Sequence, residues 1–239
     1  MRTGYVRSGV LALVVAATAL LPGGAAGAGP AGGALDRTIV HGVPEVPLTI
    51  DGVSVPAASI TKYNGTPLYM AAVPDATNVH GRLAAFTRPA DFESFVRKNG
   101  GPEHALAKPK EWTPEMAAAH PRLQTPGRPD SASTAGNGSV DRTNATYIYS
   151  GDYYSYFGLG VAAGWGYRDL TGVDMVCLIF DCISWNDEAS STWADTYQGQ
   201  MLWEHINWSG STLWVSGGYA VPYLGWYGWD NRVSSFGSY

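Results

Sequence analysis

Two short stretches carry oxygen-bearing side chains in a repeated order. Trp185-Asn186-Asp187-Glu188-Ala189-Ser190-Ser191 returns 44 positions later as Trp229-Asp230-Asn231-Arg232-Val233-Ser234-Ser235. Each copy reads Trp, two Asx, a variable residue, an apolar residue, then Ser-Ser. Carboxylate, amide, hydroxyl and backbone carbonyl oxygens are the donors that a hard divalent cation such as calcium takes. One copy alone would be ordinary turn chemistry, because Asx and Ser side chains bond nearby backbone amides. Two copies at the spacing of a structural repeat argue for more than a turn. Other chemistries lack their parts. The sequence has no Gly-x-Ser-x-Gly elbow and no His-Glu-x-x-His, and His205 is the single His after Tyr147. A Ser-His-Asp or His-ligated metal catalyst therefore has little to work with, and no catalytic residue is assigned. The chain is not expected to be an enzyme.

The elements that must position these loops are β-strands. From Tyr147 to Tyr239, runs of Tyr, Trp, Val and Ile alternate with glycine-rich turns, for example Thr146 to Ser150, Met175 to Ile179, Gln200 to Glu204 and Thr212 to Ser216. This pattern predicts an all-β segment over 146–239. It holds eight of the nine Trp and no Lys, with Arg168 and Arg232 its only Arg residues. Cys177 and Cys182 are the only cysteines. In an oxidising compartment such close neighbours are expected to pair, pinning a local turn without holding the fold together.

The remainder has a different character. Residues 1–28 have the layout of a secretory signal peptide: Arg2 and Arg7, an apolar run from Val10 to Leu21, then Ala26-Gly27-Ala28. A run that short does not span a bilayer, so a secreted, extracellular chain with no membrane span is expected. Residues 38–100 read as a small α+β unit or pro-segment. Ile60 to Tyr63 and Leu68 to Ala71 are strand candidates flanking Asn64-Gly65, Gly81 to Thr87 is a third, and Asp91 to Lys98 is a helix ending at Asn99-Gly100. Residues 101–145 are expected to be a linker, rich in Pro, Gly and Ser from Pro121 onward. The net charge of −5 argues against nucleic acid as a partner, since phosphate contacts need clustered Lys and Arg.

The repeated loops resemble the calcium-binding signature of βγ-crystallin domains: two Asn/Asp, two variable residues, Ser/Thr, Ser. Trp203, Trp208 and Gly210 also resemble that family's aromatic corner. In the first half Tyr149 and Tyr154 have the matching separation, but the next glycine is Gly158, two positions late. The resemblance implies a double Greek-key sandwich over 146–239 with two shared calcium sites. One would use Asn186 or Asp187, the Glu188 carbonyl and Ser234. The other would use Asp230 or Asn231, the Arg232 carbonyl and Ser190. A carbonyl from the aromatic-corner hairpin would complete each protein ligand set. One carboxylate per Asx pair implies modest affinity, about 10⁻⁵–10⁻³ M.

A fold of this kind does not fix function. The resemblance implies an extracellular calcium-binding structural or stress-related protein. Small bacterial metalloproteinase inhibitors also look like this fold, so a secreted peptidase inhibitor is an alternative. A toxin-like or glycan-binding module is another, given aromatic runs such as Tyr223 to Trp229. The partners implied are calcium and, on the alternatives, an extracellular peptidase or a cell-surface glycan.

Overall fold

The short runs of aromatic and β-branched residues do fold as strands, and glycine or Asx turns end them. The computed structural model describes residues 38–124, 143–178 and 181–239. In the N-terminal part these are β1 (Leu48–Ile50), β2 (Val53–Val55), β3 (Tyr69–Asp75), β4 (Asn78–Phe86), α1 (Pro89–Lys98), β5 (Lys110–Glu111) and α2 (Pro114–Ala119). The C-terminal part supplies β6 (Ala145–Tyr149), β7 (Gly158–Ala162), β8 (Trp165–Tyr167), β9 (Asp174–Cys177), β10 (Cys182–Ser184) and β11 (Ser191–Asp195). It continues through β12 (Gln200–His205), β13 (Ser209–Val215), β14 (Ala220–Val221) and β15 (Ser235–Ser238).

Two successive Greek keys organise the C-terminal part. In the first, β6 pairs with β7 and β11; in the second, β12 pairs with β13 and β15. Each key lends its third strand to the other: β14 joins β11, and β8 joins β15. The resulting sheets run β14-β11-β6-β7 and β13-β12-β15-β8. The fold is thus a βγ-crystallin-like double Greek-key sandwich. The exchange brings Trp185 and Ala189 of the first loop into one core with Trp229 and Val233 of the second.

The N-terminal α+β part extends the second sheet. β3 pairs parallel to β13, with Tyr69 opposite Thr212 and Ala72 opposite Val215, and β4 and β1 continue beyond it. At the far end β5 pairs with β8. α1 lays Phe92 and Val96 over a cluster holding Met201, Trp203 and Trp214. The outer face of β12–β13 is therefore buried apolar surface, which water would otherwise touch at a cost of about 25 cal/mol per Å².

Three local features differ from the sequence reading. Residues Ala57–Tyr63 form a 3₁₀ turn, not a strand, in which Ile60 alone is buried. The hairpin instead joins β3 to β4, where Asp75 Oδ1 accepts from the Thr77 N–H at 2.7 Å. Within the expected linker, β5, Trp112 and α2 are ordered against the sheet, and Trp112 is buried. Residues 125–142, where Pro, Gly and Ser are densest, lie outside the described residues, as does the signal segment.

Candidate functional site

The two Asx-Ser loops cross. The second Asx of each copy turns in the left-handed region, Asp187 at φ 57° and Asn231 at φ 53°. Asn and Asp occupy that region at lower cost than other non-glycine residues. From there the Asp187 N–H donates to the Val233 carbonyl at 3.0 Å, and the Asn231 N–H to the Ala189 carbonyl at 3.0 Å. This reciprocal pair brings each serine to the other loop. Ser234 Oγ donates to Asp187 Oδ1 at 2.9 Å, and Ser190 Oγ to Asn231 Oδ1 at 3.4 Å.

The first junction is the tighter of the two. Ser234 Oγ is also 2.9 Å from the Glu204 carbonyl, next to aromatic-corner Trp203. A hydroxyl has a single proton to donate. Three oxygens, those of Asp187, Ser234 and Glu204, therefore converge on one hydrogen. Asn186 Nδ2 donates to the other Asp187 oxygen at 2.8 Å and steadies the carboxylate. The oxygens Asn186 Oδ1 and Asp230 Oδ1, at the same position of the two copies, are buried without a hydrogen-bond partner among the described residues. A buried oxygen left in this state is costly unless something cationic or protic meets it.

Glu188 and Arg232 follow at the third position. The Glu188 N–H closes back on the Trp185 carbonyl at 3.4 Å. Arg232 lies over the Trp229 ring at 5.4 Å, donates to the Gly228 carbonyl at 2.7 Å, and pairs with Glu204. Burial disfavours the charged form of Glu204, but Arg232 and the Ser211 bonds outweigh it and hold its carboxyl below the usual range. A cleft of about 320 Å³ opens onto this junction, lined by Asp187, Glu204, His205, Arg232 and Ser234, with Thr38 and Val40 along its edge. Thr38 Oγ1 lies 3.0 Å from His205 Nε2. The stretch after Val40 lies against the same loop. Gly42 touches Gly228 so closely that a Cβ would sit 2.6 Å from the Gly228 oxygen, and Glu45 N–H donates to the Trp226 carbonyl. Nothing in the spacing of the sequence pointed to Thr38 or Val40 as neighbours of the loops, whereas Glu204 lies in the aromatic-corner hairpin expected to offer a carbonyl.

The aromatic corners correspond position by position. The Ser190 and Ser234 N–H groups donate to the carbonyls of Tyr149 and Trp203. Ser191 and Ser235 hydroxyls donate to the carbonyls of Gly151 and His205. Tyr149 meets Tyr154 at 5.5 Å and Trp203 meets Trp208 at 4.9 Å, both edge to face. Tyr154 and Tyr156 stand where Trp208 and Gly210 stand, all four at positive φ. The first corner is therefore complete: its glycine is not late, because Tyr156 takes the left-handed turn in its place, at φ 60°.

One difference between the keys is an insertion. Leu170 and Leu224 correspond, their N–H groups donating to the Ser234 and Ser190 carbonyls. Leu224 precedes Trp229 by five positions, whereas Leu170 precedes Trp185 by fifteen. The extra chain is the β9–β10 hairpin, closed by the Cys177–Cys182 disulfide with an S–S length of 2.07 Å. Asp174 lies beside these sulfurs, but a disulfide leaves no thiolate to ligate a metal.

No protein-family model matches the chain, and no curated protein matches it. Solved structures are similar to part of the chain. A βγ-crystallin from Ciona intestinalis is 18% identical, aligned over 40% of this chain and 99% of its own, at a TM-score of 0.31. A βγ-crystallin from an archaeon is 20% identical, covering 40% of this chain and 96% of its own, with a TM-score of 0.28. Spherulin 3a from Physarum polycephalum is 14% identical, covering 42% of this chain and 87% of its own, at 0.29.

Proposed function

We propose that this chain is an extracellular, calcium-binding structural protein of βγ-crystallin type, a binder and not a catalyst. The observation that supports it is the reciprocal crossing of the two loops, Ser234 on Asp187 and Ser190 on Asn231. The convergence of three oxygens on one proton at the first junction, and the unpartnered Asn186 and Asp230 oxygens, describe a donor set suited to a hard cation. Asn186 or Asp187, the Glu204 and Glu188 carbonyls and Ser234 would hold one ion. Asp230 or Asn231, the Arg232 carbonyl and Ser190 would hold the other. Bound calcium would supply the positive charge that these oxygens lack, tying the two keys together. With Arg232 nearby and one carboxylate per Asx pair, affinity stays modest.

Calorimetric titration tests this. Wild type should take up calcium, Ser234→Ala should weaken the Asp187 site, and Ser190→Ala the Asn231 site. At a hundred times Kd, each occupied site adds about 2.7 kcal/mol of stability, seen as a higher melting temperature than in chelator. Absence of both heat and shift in wild type would overturn the proposal.

The inserted hairpin favours a second reading, a secreted peptidase inhibitor. A cystine-braced loop with Leu178 and Ile183 exposed is a shape that can enter a peptidase cleft. Inhibition of a metallopeptidase that disappears on deleting β9–β10 would establish it; its absence at micromolar concentrations would set it aside.

A further inference from the structure

A second cleft, of about 380 Å³, lies apart from the Asx-Ser loops, and three stretches of chain build it. β4 gives Val79 and His80, the first corner gives Tyr153 and Tyr154, and the second key gives Tyr219, Ala220, Pro222 and Trp226. The volume is within the range of small-molecule sites. Its parts are locked in place. The His80 carbonyl accepts from Tyr227 at 2.6 Å and from Tyr219 at 3.4 Å, and those two hydroxyls are 3.1 Å apart. Gly81, at φ 77°, has no room for a Cβ against the Val73 carbonyl and the same two hydroxyls. This clamp sets the His80 ring 3.7 Å from Trp226. On the other side, the Tyr153 N–H donates to the Pro222 carbonyl at 2.6 Å.

The rings do not form a flat platform. Tyr153 stands at 89° to Trp226, with centroids 6.4 Å apart, and Tyr223 stands at 82° to it at 6.0 Å. Tyr153 is 58% exposed yet sits in the left-handed region at φ 51°, where the corresponding residue of the second corner is Asn207. Asn tolerates that conformation; for an aromatic residue it is an outlier, imposed here by the corner as it is at Tyr154 and Tyr156. Beyond the lining, Tyr223 packs on Trp226, and Asp230, its own burial, Glu45 and Asp152 together hold the Tyr223 hydroxyl pKa up. Among the described residues that line the cleft, none is Lys, Arg, Asp or Glu, so its aromatic faces are what a ligand meets.

We propose that this cleft binds an alkylated ammonium group, as in choline or a phosphocholine head group. Rings set at right angles present π faces to a rounded cation. A flat sugar would instead call for an open, coplanar platform.

The test is titration of the full mature chain, in chelator, with tetramethylammonium and choline chloride, read by tryptophan fluorescence and calorimetry. Both cations should bind, and tert-butanol, of similar shape but neutral, should bind at least about tenfold more weakly. Tyr153→Ala should weaken binding by about 5- to 30-fold, the range of one cation–π contact. Tyr153→Phe should keep it, with melting temperatures confirming that both variants fold. Phosphatidylcholine vesicles, with phosphatidylglycerol vesicles as control, separate a lipid head group from free choline. Equal affinity for tert-butanol, loss in neither Tyr153→Ala nor Trp226→Leu, or binding of glucose or N-acetylglucosamine without the ammonium ions would each overturn the proposal.

Discussion

Replacing Tyr156 with glycine should stabilise the protein. Tyr156 is 86% exposed and held at φ 60°, in the corner position where the second key uses Gly210. For an L-residue the left-handed conformation costs about 1–2 kcal/mol. Glycine removes that cost but adds about 0.5–1 kcal/mol of unfolded-chain entropy. The ring rests on Gly151, and at this exposure it contributes little burial. The balance favours Tyr156→Gly by about 0.5–1 kcal/mol. Equilibrium urea unfolding of the oxidised chain measures it as a higher midpoint at unchanged slope. The reciprocal change gives the opposite sign. A Cβ on Gly210 would sit 2.8 Å from the His205 ring at φ 79°, so Gly210→Ala should lose at least about 1 kcal/mol. A lower midpoint for Tyr156→Gly, at the same slope, would refute the argument that the two corners are equivalent and that the tyrosine is strained.

Two further outcomes follow from the same geometry. Glu204→Gln leaves Arg232 partly buried without its counter-ion and should cost about 2–3 kcal/mol, less than a fully buried pair because the Arg232 side chain keeps 17% exposure. Because the folded pKa of Glu204 is depressed, its contribution is present above the ordinary carboxylate pKa of 4.5 and is lost as pH falls through the lower folded value. The acid limb of a melting-temperature profile should therefore flatten in Glu204→Gln, and an unchanged limb would contradict the assignment. Replacing Cys177 and Cys182 together by Ser should cost about 2 kcal/mol or less, since the loop they close is short. It should leave the sandwich intact by near-ultraviolet circular dichroism, because the hairpin is an insertion outside both keys.

The sequence by itself determined the C-terminal sandwich and its repeated loops. Trp, paired Asx and Ser-Ser recur in order, and local chemistry is enough to make Asp187 and Asn231 turn the chain where they do. Aromatic and β-branched runs between glycine turns made the all-β character legible for the same reason, since both act over a few residues. The helix at Pro89–Lys98 was legible from its apolar face and its Asn99-Gly100 end. Tertiary structure alone decided the rest. Tyr156 hid the first corner, because a tyrosine gives no sign that it will adopt a glycine's conformation. Which Asx meets the opposite serine depends on how the loops cross, which their sequences do not encode separately. The pairing of β3 with β13, and of His80 with Trp226, joins residues more than 140 positions apart. Such contacts are chosen by the burial of whole faces, and a composition shift near residue 140 made two chemically different stretches look independent although they share one sheet.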